Sequence, residues 1–321
     1  MGKLIQFKRY NPGHWPPATV AVVGTLVAIS VVDLALDGLL ERALCGRGLE
    51  LYHGQWWRVL TANLVHADLL HILFNAWGIS ILGSTLERLH GWRPLLAVVV
   101  AGALGGSGLA LAMMDPAVRL VGSSTSSYAL LGAVLGYFYV KTGSLAALRQ
   151  VPHSRQLLIW FAFGVYMSLQ PGVSLLGHLG GFVPGVVLGI YFELHYQRRA
   201  DLWARLGVAV VAFSCAAVCV YACLPWHRPA FVGVRAMQAW EAGEMAEGDA
   251  LLQRARKVDS GRHPGASEFL DFLRLWRETV PGLPTEEDQA LLRLPLLRVQ
   301  REAEAGRDPL LPGNAGGAPQ P

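Results

Sequence analysis

Charge is scarce in this chain. Only 16% of its 321 residues are Asp, Glu, Lys or Arg, against about 25% in an ordinary soluble domain, while 53% are hydrophobic. That balance excludes a wholly soluble globular protein and fits a polytopic membrane protein with a soluble appendage. What charge there is falls unevenly: residues 1–224 hold 15 Lys/Arg and 9 Asp/Glu, residues 225–321 hold 12 and 14. The basic excess therefore belongs to the membrane part, where it sets orientation and gives no nucleic-acid face. Cysteine is sparse too, with four in all. Cys45 stands alone, and Cys215, Cys219 and Cys223 share one face of an apolar helix, a spacing that suits close packing over metal ligation. An A-x-A-like exit is also missing after the basic start at Lys3, Lys8 and Arg9, so no cleavable signal peptide is expected.

Long apolar spans are abundant instead. Seven can be placed, at Ala18–Leu36, Leu69–Leu86, Leu95–Met114, Ser126–Val140, Gln156–Leu169, Leu175–Leu194 and Leu206–Leu224, the fourth and fifth needing flanking residues to cross a bilayer. With the N-terminus inside, the inner segments carry eleven Lys/Arg and the outer segments before residue 225 carry four: Arg42, Arg47, Arg58 and Arg119. The positive-inside rule thus predicts a cytoplasmic N-terminus and an extracytoplasmic C-terminal region. The first outer loop, Asp37 to Asp68, holds Trp56, Trp57 and Arg58, which suits an interfacial segment. Glycines four apart, Gly132 and Gly136 in the fourth span and Gly177, Gly181, Gly185 and Gly189 in the sixth, predict that these two helices pack backbone to backbone, with Pro184 bending the sixth.

Beyond Pro225 the sequence is soluble in character. Pro229–Val258 reads as a helix pair like a tetratricopeptide hairpin, although one unit makes no repeat array. Ser267–Val280 and Thr285–Ala305 read as further helices, and the Gly/Pro-rich residues 306–321 as a disordered tail.

Polar residues inside a bilayer are costly and ask for a role. His66, Asp68, His71 and Asn75 arrive together at the start of the second span; His71 and Asn75 share a face. His178 begins the sixth span among glycines, and Gly122-Ser123-Ser124 opens the fourth. Taken singly, each histidine reads as an interhelical hydrogen-bonding residue, and Ser123, Ser126 and Ser127 read as small or capping residues. A metal site at His66, Asp68 and His71 is disfavoured because that spacing scatters them round the helix. Together they offer a nucleophile at Ser124, a base at His178, and oxyanion donors at the Ser124 amide, Asn75 and His71. No acidic residue neighbours His178, so the expectation is a dyad.

These pieces, in order, resemble the rhomboid intramembrane serine proteases: Trp57-Arg58, the H-x4-H-x3-N run from His66 through His71 to Asn75, Gly122-x-Ser124, and His178-Leu-Gly-Gly181. The resemblance covers about residues 50–195. It implies an all-α polytopic fold, with a six-helix catalytic core over 18–195 after a cytoplasmic segment 1–17. Hydropathy and composition add a loop and seventh transmembrane helix over 196–224, similar to the six-plus-one arrangement of some rhomboids, then a helical extracytoplasmic domain over 225–305 and the tail 306–321. By position, Ser124 is similar to the family nucleophile and His178 to its base; Asn75 and His71 resemble the oxyanion-side residues. His66 would be structural, Tyr128 would pack on the base, and Gly122 and Gly181 support the site. One departure stands out: the family usually has glycine after the nucleophile, where this chain has Thr125, a branched residue expected to crowd the oxyanion pocket or restrict the backbone. Ser123 is the second candidate nucleophile.

The expected function is an intramembrane serine endopeptidase of a bacterial inner membrane, acting on single-span transmembrane proteins in the lipid bilayer without cofactor or metal, and without a nucleic-acid partner. The alternative is an inactive rhomboid-like protein that binds or escorts membrane-protein clients, with the C-terminal domain as a possible partner site. A channel or transporter is disfavoured, because the polar residues gather at one depth.

Overall fold

The computed structural model describes residues 16–259, apart from 117 and 171, and then 264–279, 282 and 285. Most of the N-terminal segment 1–17, the helix expected over Thr285–Ala305 (all but its first residue) and the tail 306–321 lie outside the described residues. In chain order the helices are α1 (Pro17–Ala35), α2 (Leu39–Leu44), α3 (Gly48–Tyr52), α4 (Arg58–Thr61) with a 3-10 turn at Ala62–Leu64, α5 (Leu69–His90) and α6 (Trp92–Met113). Then come α7 (Ser124–Thr142), α8 (Leu145–Leu148), α9 (Pro152–Met167), α10 (Leu175–Tyr196), α11 (Leu202–Cys223), α12 (Pro229–Glu241), α13 (Met245–Val258) and α14 (Pro264–Thr279). All seven apolar spans are therefore helices: α1, α5, α6, α7, α9, α10 and α11. Five of them are long and apolar enough to cross a membrane; α9 has 16 residues, and α7 opens on a serine-rich turn.

Two compact units divide the chain. The first takes residues up to Gly46, Trp56–Met114 and Leu120–Cys223; the second takes Arg47–Gln55, Asp115–Arg119 and the residues from Leu224 onward.

In the first unit, glycine sets the packing. Gly181, Gly185 and Gly189 of α10 lie against the carbonyl oxygens of Thr125, Ala129 and Ala133 in α7, and Gly132 and Gly136 of α7 lie against those of Phe182 and Val186 in α10. Any side chain at these positions would strike backbone. Small residues let apolar helices approach this closely where no water drives them together. The run Gly102–Gly108 makes α6 the third partner, a role the sequence reading missed. A Cβ at Gly105 would sit 2.6 Å from Gly180 O, one at Gly106 2.6 Å from Gly177 O, and one at Gly108 3.0 Å from Cys219 Sγ. The thiols of α11 are packing groups, Cys219 donating to Leu104 O at 3.4 Å. Helix α10 runs unbroken through Pro184.

The buried carboxylates all have partners, as a low-dielectric interior demands. Glu87, 3% exposed, accepts from the Ala18 and Thr19 amides (3.0 and 2.8 Å) and from Thr19 Oγ1 (2.7 Å), so α5 supplies the N-terminal cap that α1 lacks. Asp33 accepts from the Leu40 and Glu41 amides at the start of α2. Glu193 meets Lys141 Nζ at 2.5 Å and His90 Nε2 at 3.1 Å, joining the last turns of α5, α7 and α10. Arg58 also departs from the interfacial role read from its neighbours. Trp56 and Trp57 are exposed, but Arg58 is buried and donates to the carbonyls of Cys45 (2.8 Å) and Arg42 (3.2 Å).

The second unit packs through large side chains. Trp240 and Trp276 meet at 5.4 Å between ring centroids, and the Tyr52 ring of α3 stands edge-on to Phe231 of α12 at 5.4 Å. Met237, Trp240, Leu270 and Leu273 are buried among α12, α13 and α14. The helix pair read over Pro229–Val258 is α12 and α13, with α14 laid against both.

Candidate active site

Gly122 bends the chain into α7. Its φ of +104° is one that L side chains rarely adopt, and the His71 ring lies where its Cβ would be. Its amide donates to Ala62 O at 2.9 Å. Ser123 follows at the N-cap position, and Ser124 is the first residue of the helix, so its N–H belongs to the turn whose amides have no partner within the helix.

Three elements converge on Ser124. His178 stands in the first turn of α10, whose start is capped by Ser174 Oγ accepting from Gly177 N at 3.1 Å. His178 Nε2 lies 2.8 Å from Ser124 Oγ, and its other ring nitrogen, Nδ1, lies 2.6 Å from Ser168 Oγ at the end of α9. Ser168 Oγ also lies 2.6 Å from Gly164 O, a pure acceptor. A hydroxyl has a single hydrogen. With that hydrogen given to Gly164, Ser168 accepts from His178 Nδ1–H, and Nε2 is left with its lone pair toward Ser124. The hydrogen-bond network thus assigns the tautomer. Tyr128 lies flat on the imidazole, centroids 4.1 Å apart and planes 8° apart, with its hydroxyl 3.4 Å from Ser168 Oγ.

The remaining sequence-predicted residues surround the same turn. His66 Nε2 lies 3.2 Å from Ser123 Oγ, and the His66 and His71 rings meet edge to face at 5.1 Å. Ser123 is thus engaged with His66 while Ser124 faces His178. Asn75 donates one N–H to His71 O at 3.0 Å and accepts from Ser127 Oγ at 3.4 Å. Ser126 donates to Val99 O of α6 at 2.9 Å. The serines read as small or capping residues therefore reach neighbouring segments, and Ser127 Oγ also lies 3.3 Å from Ser123 O at its own helix start. Asp68 is the N-cap of α5, accepting from His71 N at 2.8 Å, and among the described residues no three His, Cys, Asp or Glu side chains gather as a metal site.

Comparison with known proteins decides the family. The rhomboid domain model matches residues 53–195. The rhomboid-family protein YdcA of Bacillus subtilis (strain 168) is 30% identical over 156 residues, which cover 48% of this chain and 76% of that protein. The chain is a member of the rhomboid family. Rhomboid-like protease 3 of Toxoplasma gondii is 29% identical over 165 residues, 51% of this chain and 60% of its own length. Rhomboid-related protein 3 of Homo sapiens is 30% identical over 171 residues, 48% of this chain and 42% of its own length. This rhomboid thus spans only part of the length of several relatives.

Thr125 packs toward a neighbouring helix. Its side chain turns toward α6, where Gly106 leaves room, and Thr125 Oγ1 donates to Asn63 Oδ1 at 2.7 Å. Sequence reasoning missed Asn63, Ser107 and Ser168. Each is an ordinary polar residue in its own segment, and only the fold brings it to the site. Ser168 was the most legible of the three: it lies ten residues before His178, at the end of α9.

Proposed function

We propose that this rhomboid is an intramembrane serine endopeptidase that cleaves single-span transmembrane proteins within or beside their membrane segment. One observation carries the reading: Ser124 Oγ, His178 and Ser168 Oγ stand in hydrogen-bond sequence at 2.8 and 2.6 Å, from the starts of α7 and α10 and the end of α9. His178 Nε2 takes the Ser124 proton as Oγ attacks the carbonyl, then passes it to the leaving amine. Ser168 holds Nδ1–H throughout and accepts the stronger hydrogen bond when the ring becomes cationic. The oxyanion forms at the start of α7, where the Ser124 N–H, the second Asn75 N–H and His71 supply donors and the helix end adds partial positive charge. No step calls for a metal or cofactor. Substrate segments with small or helix-destabilising residues suit the site, because a peptide bond must leave its helix to reach Ser124.

We place the protein in a bacterial inner membrane; the charge distribution supports a cytoplasmic N-terminus and extracytoplasmic α12–α14, a domain suited to holding protein partners. The client-escort alternative rested partly on Thr125, whose side chain is engaged with Asn63 and Gly106, away from His178.

Purified full-length protein in detergent, given a single-span reporter and a fluorophosphonate probe, tests the reading beside Ser124→Ala, His178→Ala and Ser168→Ala. The wild type should cut and be labelled, the first two variants should do neither, and Ser168→Ala should retain a slow rate. A folded wild type that neither cuts nor is labelled overturns it.

A further inference from the structure

The five residues Ala62–His66 hold the chain on both sides of Ser124. On the near side, Ala62 O accepts from the Gly122 amide at 2.9 Å and His66 Nε2 lies 3.2 Å from Ser123 Oγ. On the far side, Thr125 Oγ1 donates to Asn63 Oδ1 at 2.7 Å, and Asn63 Nδ2 donates to Ser107 Oγ of α6 at 2.8 Å. Asn63, Ser107 and Thr125 are 5%, 1% and 3% exposed. Their bonds are therefore made where an unmade partner cannot turn to water.

The steric frame agrees. A Cβ at Gly106 would lie 2.5 Å from Thr125 Cβ, and one at Gly181 would press on the Thr125 carbonyl, so glycines on two helices make the slot that a branched residue fills. A threonine in a helix usually returns its hydroxyl to a carbonyl one turn back; this one reaches across to another segment. Ser124 must aim two groups at once, its N–H and its Oγ, and both directions follow from the backbone on either side of it. The first turn of a helix has the fewest bonds to fix that backbone.

We infer that Asn63, Thr125 and Ser107 form a positioning relay, which locks the C-terminal side of the nucleophile so that the Ser124 amide and hydroxyl stay aligned with His178. Thr125 in place of the usual glycine is then part of a matched set with Asn63 and Gly106. The inference rests on the protease reading above.

Thr125→Val keeps the shape and removes the hydroxyl; Thr125→Ser keeps the hydroxyl and removes a methyl. Reporter cleavage and fluorophosphonate labelling are measured on full-length protein, well below the melting midpoint of every variant. In Thr125→Val, kcat and the labelling rate should fall on the order of tenfold with KM little changed, as expected when one buried hydrogen bond that aims a reacting group is lost. Thr125→Ser should recover to within about twofold. Asn63→Ala should match Thr125→Val, and the double variant should be no slower than either, because each breaks the same link. Wild-type rates in Thr125→Val, no recovery in Thr125→Ser, or losses that multiply in the double variant would each overturn the relay while leaving the protease reading intact. A wild type that neither cuts nor is labelled removes both at once.

Discussion

The two units of this molecule hold their helices together in opposite ways. In the first, α6, α7 and α10 meet through glycine, and what touches is backbone: Gly185 on Ala129 O, Gly132 on Phe182 O, Gly105 near Gly180 O. In the second, α12, α13 and α14 meet through Trp240, Trp276, Met237 and Leu273, which fill the space between helices with side chains. The difference follows from the solvent each packing suits. Lipid tails are as apolar as leucine, so burying apolar side chains between helices gains little there, and close approach with dispersion and hydrogen bonding does the work. Water rewards removal of apolar area, by about 25 cal/mol per Å². One unit is therefore sensitive to atoms added, the other to atoms removed.

The sharpest way to break the comparison is to add atoms to the glycine seam. Gly185→Leu should cost more than the roughly 1–3 kcal/mol of ordinary overpacking, because the obstructing group is the Ala129 backbone and cannot rotate aside. Loss of the folded bundle is expected, read as loss of fluorophosphonate labelling together with aggregation on size exclusion. A labelled, monodisperse variant would mean that α7 and α10 can separate at little cost. The converse change removes atoms from the second unit. Trp240→Ala deletes a fully buried ring and should cost that unit about 3–5 kcal/mol. Hydrogen exchange across residues 229–279 should accelerate sharply while labelling of Ser124 persists. Equal protection of those amides would show that the unit repacks without the tryptophan.

The same contrast explains what could be read in advance. Seven apolar runs and the glycines of α7 and α10 are periodic within single segments, so hydropathy and spacing were enough to place helices and to name a close-packed pair. The run at Gly102–Gly108 was harder, because adjacent glycines face different partners. Gly105 serves α10, whereas Gly106 serves both α10 and Thr125. Glu87 fell just past the end expected for its span, and nothing local reveals that it caps α1, 68 residues earlier. The site was legible through its spaced histidines, asparagine and serine. What stayed hidden were the bonds between remote segments: Ser168 to His178 depends on how the chain turns between α9 and α10, and Asn63 to Thr125 spans 62 residues. In the bundle such bonds carry much of the specificity that side-chain volume carries in the second unit.

The smallest effect expected concerns an ion pair of the second unit, between α13 and α14. Arg277 donates to Asp249 Oδ1 at 2.6 Å and Oδ2 at 3.0 Å, and Trp240 Nε1–H donates to Oδ1 at 3.1 Å. The Arg277 hydrogen bonds hold the Asp249 carboxyl below its ordinary value of 3.8, with the indole adding a smaller push in the same direction. Because the folded state binds this proton less tightly than the unfolded state, the pair stabilises fully above the ordinary carboxylate range. That contribution fades as pH falls through the lowered value. Asp249 is 40% exposed, so water and salt screen the pair and its worth is about 0.2–1 kcal/mol. Asp249→Asn should therefore lower the melting midpoint of this unit slightly at about pH 6, with a difference that shrinks as pH falls through the lowered value and shrinks in high salt. A difference that survives acid unchanged would assign it to the Trp240 hydrogen bond and its packing, not to charge. Charge at this pair would then add little to the packing of α12, α13 and α14, and the contrast with the hydrogen-bonded bundle would be sharper still.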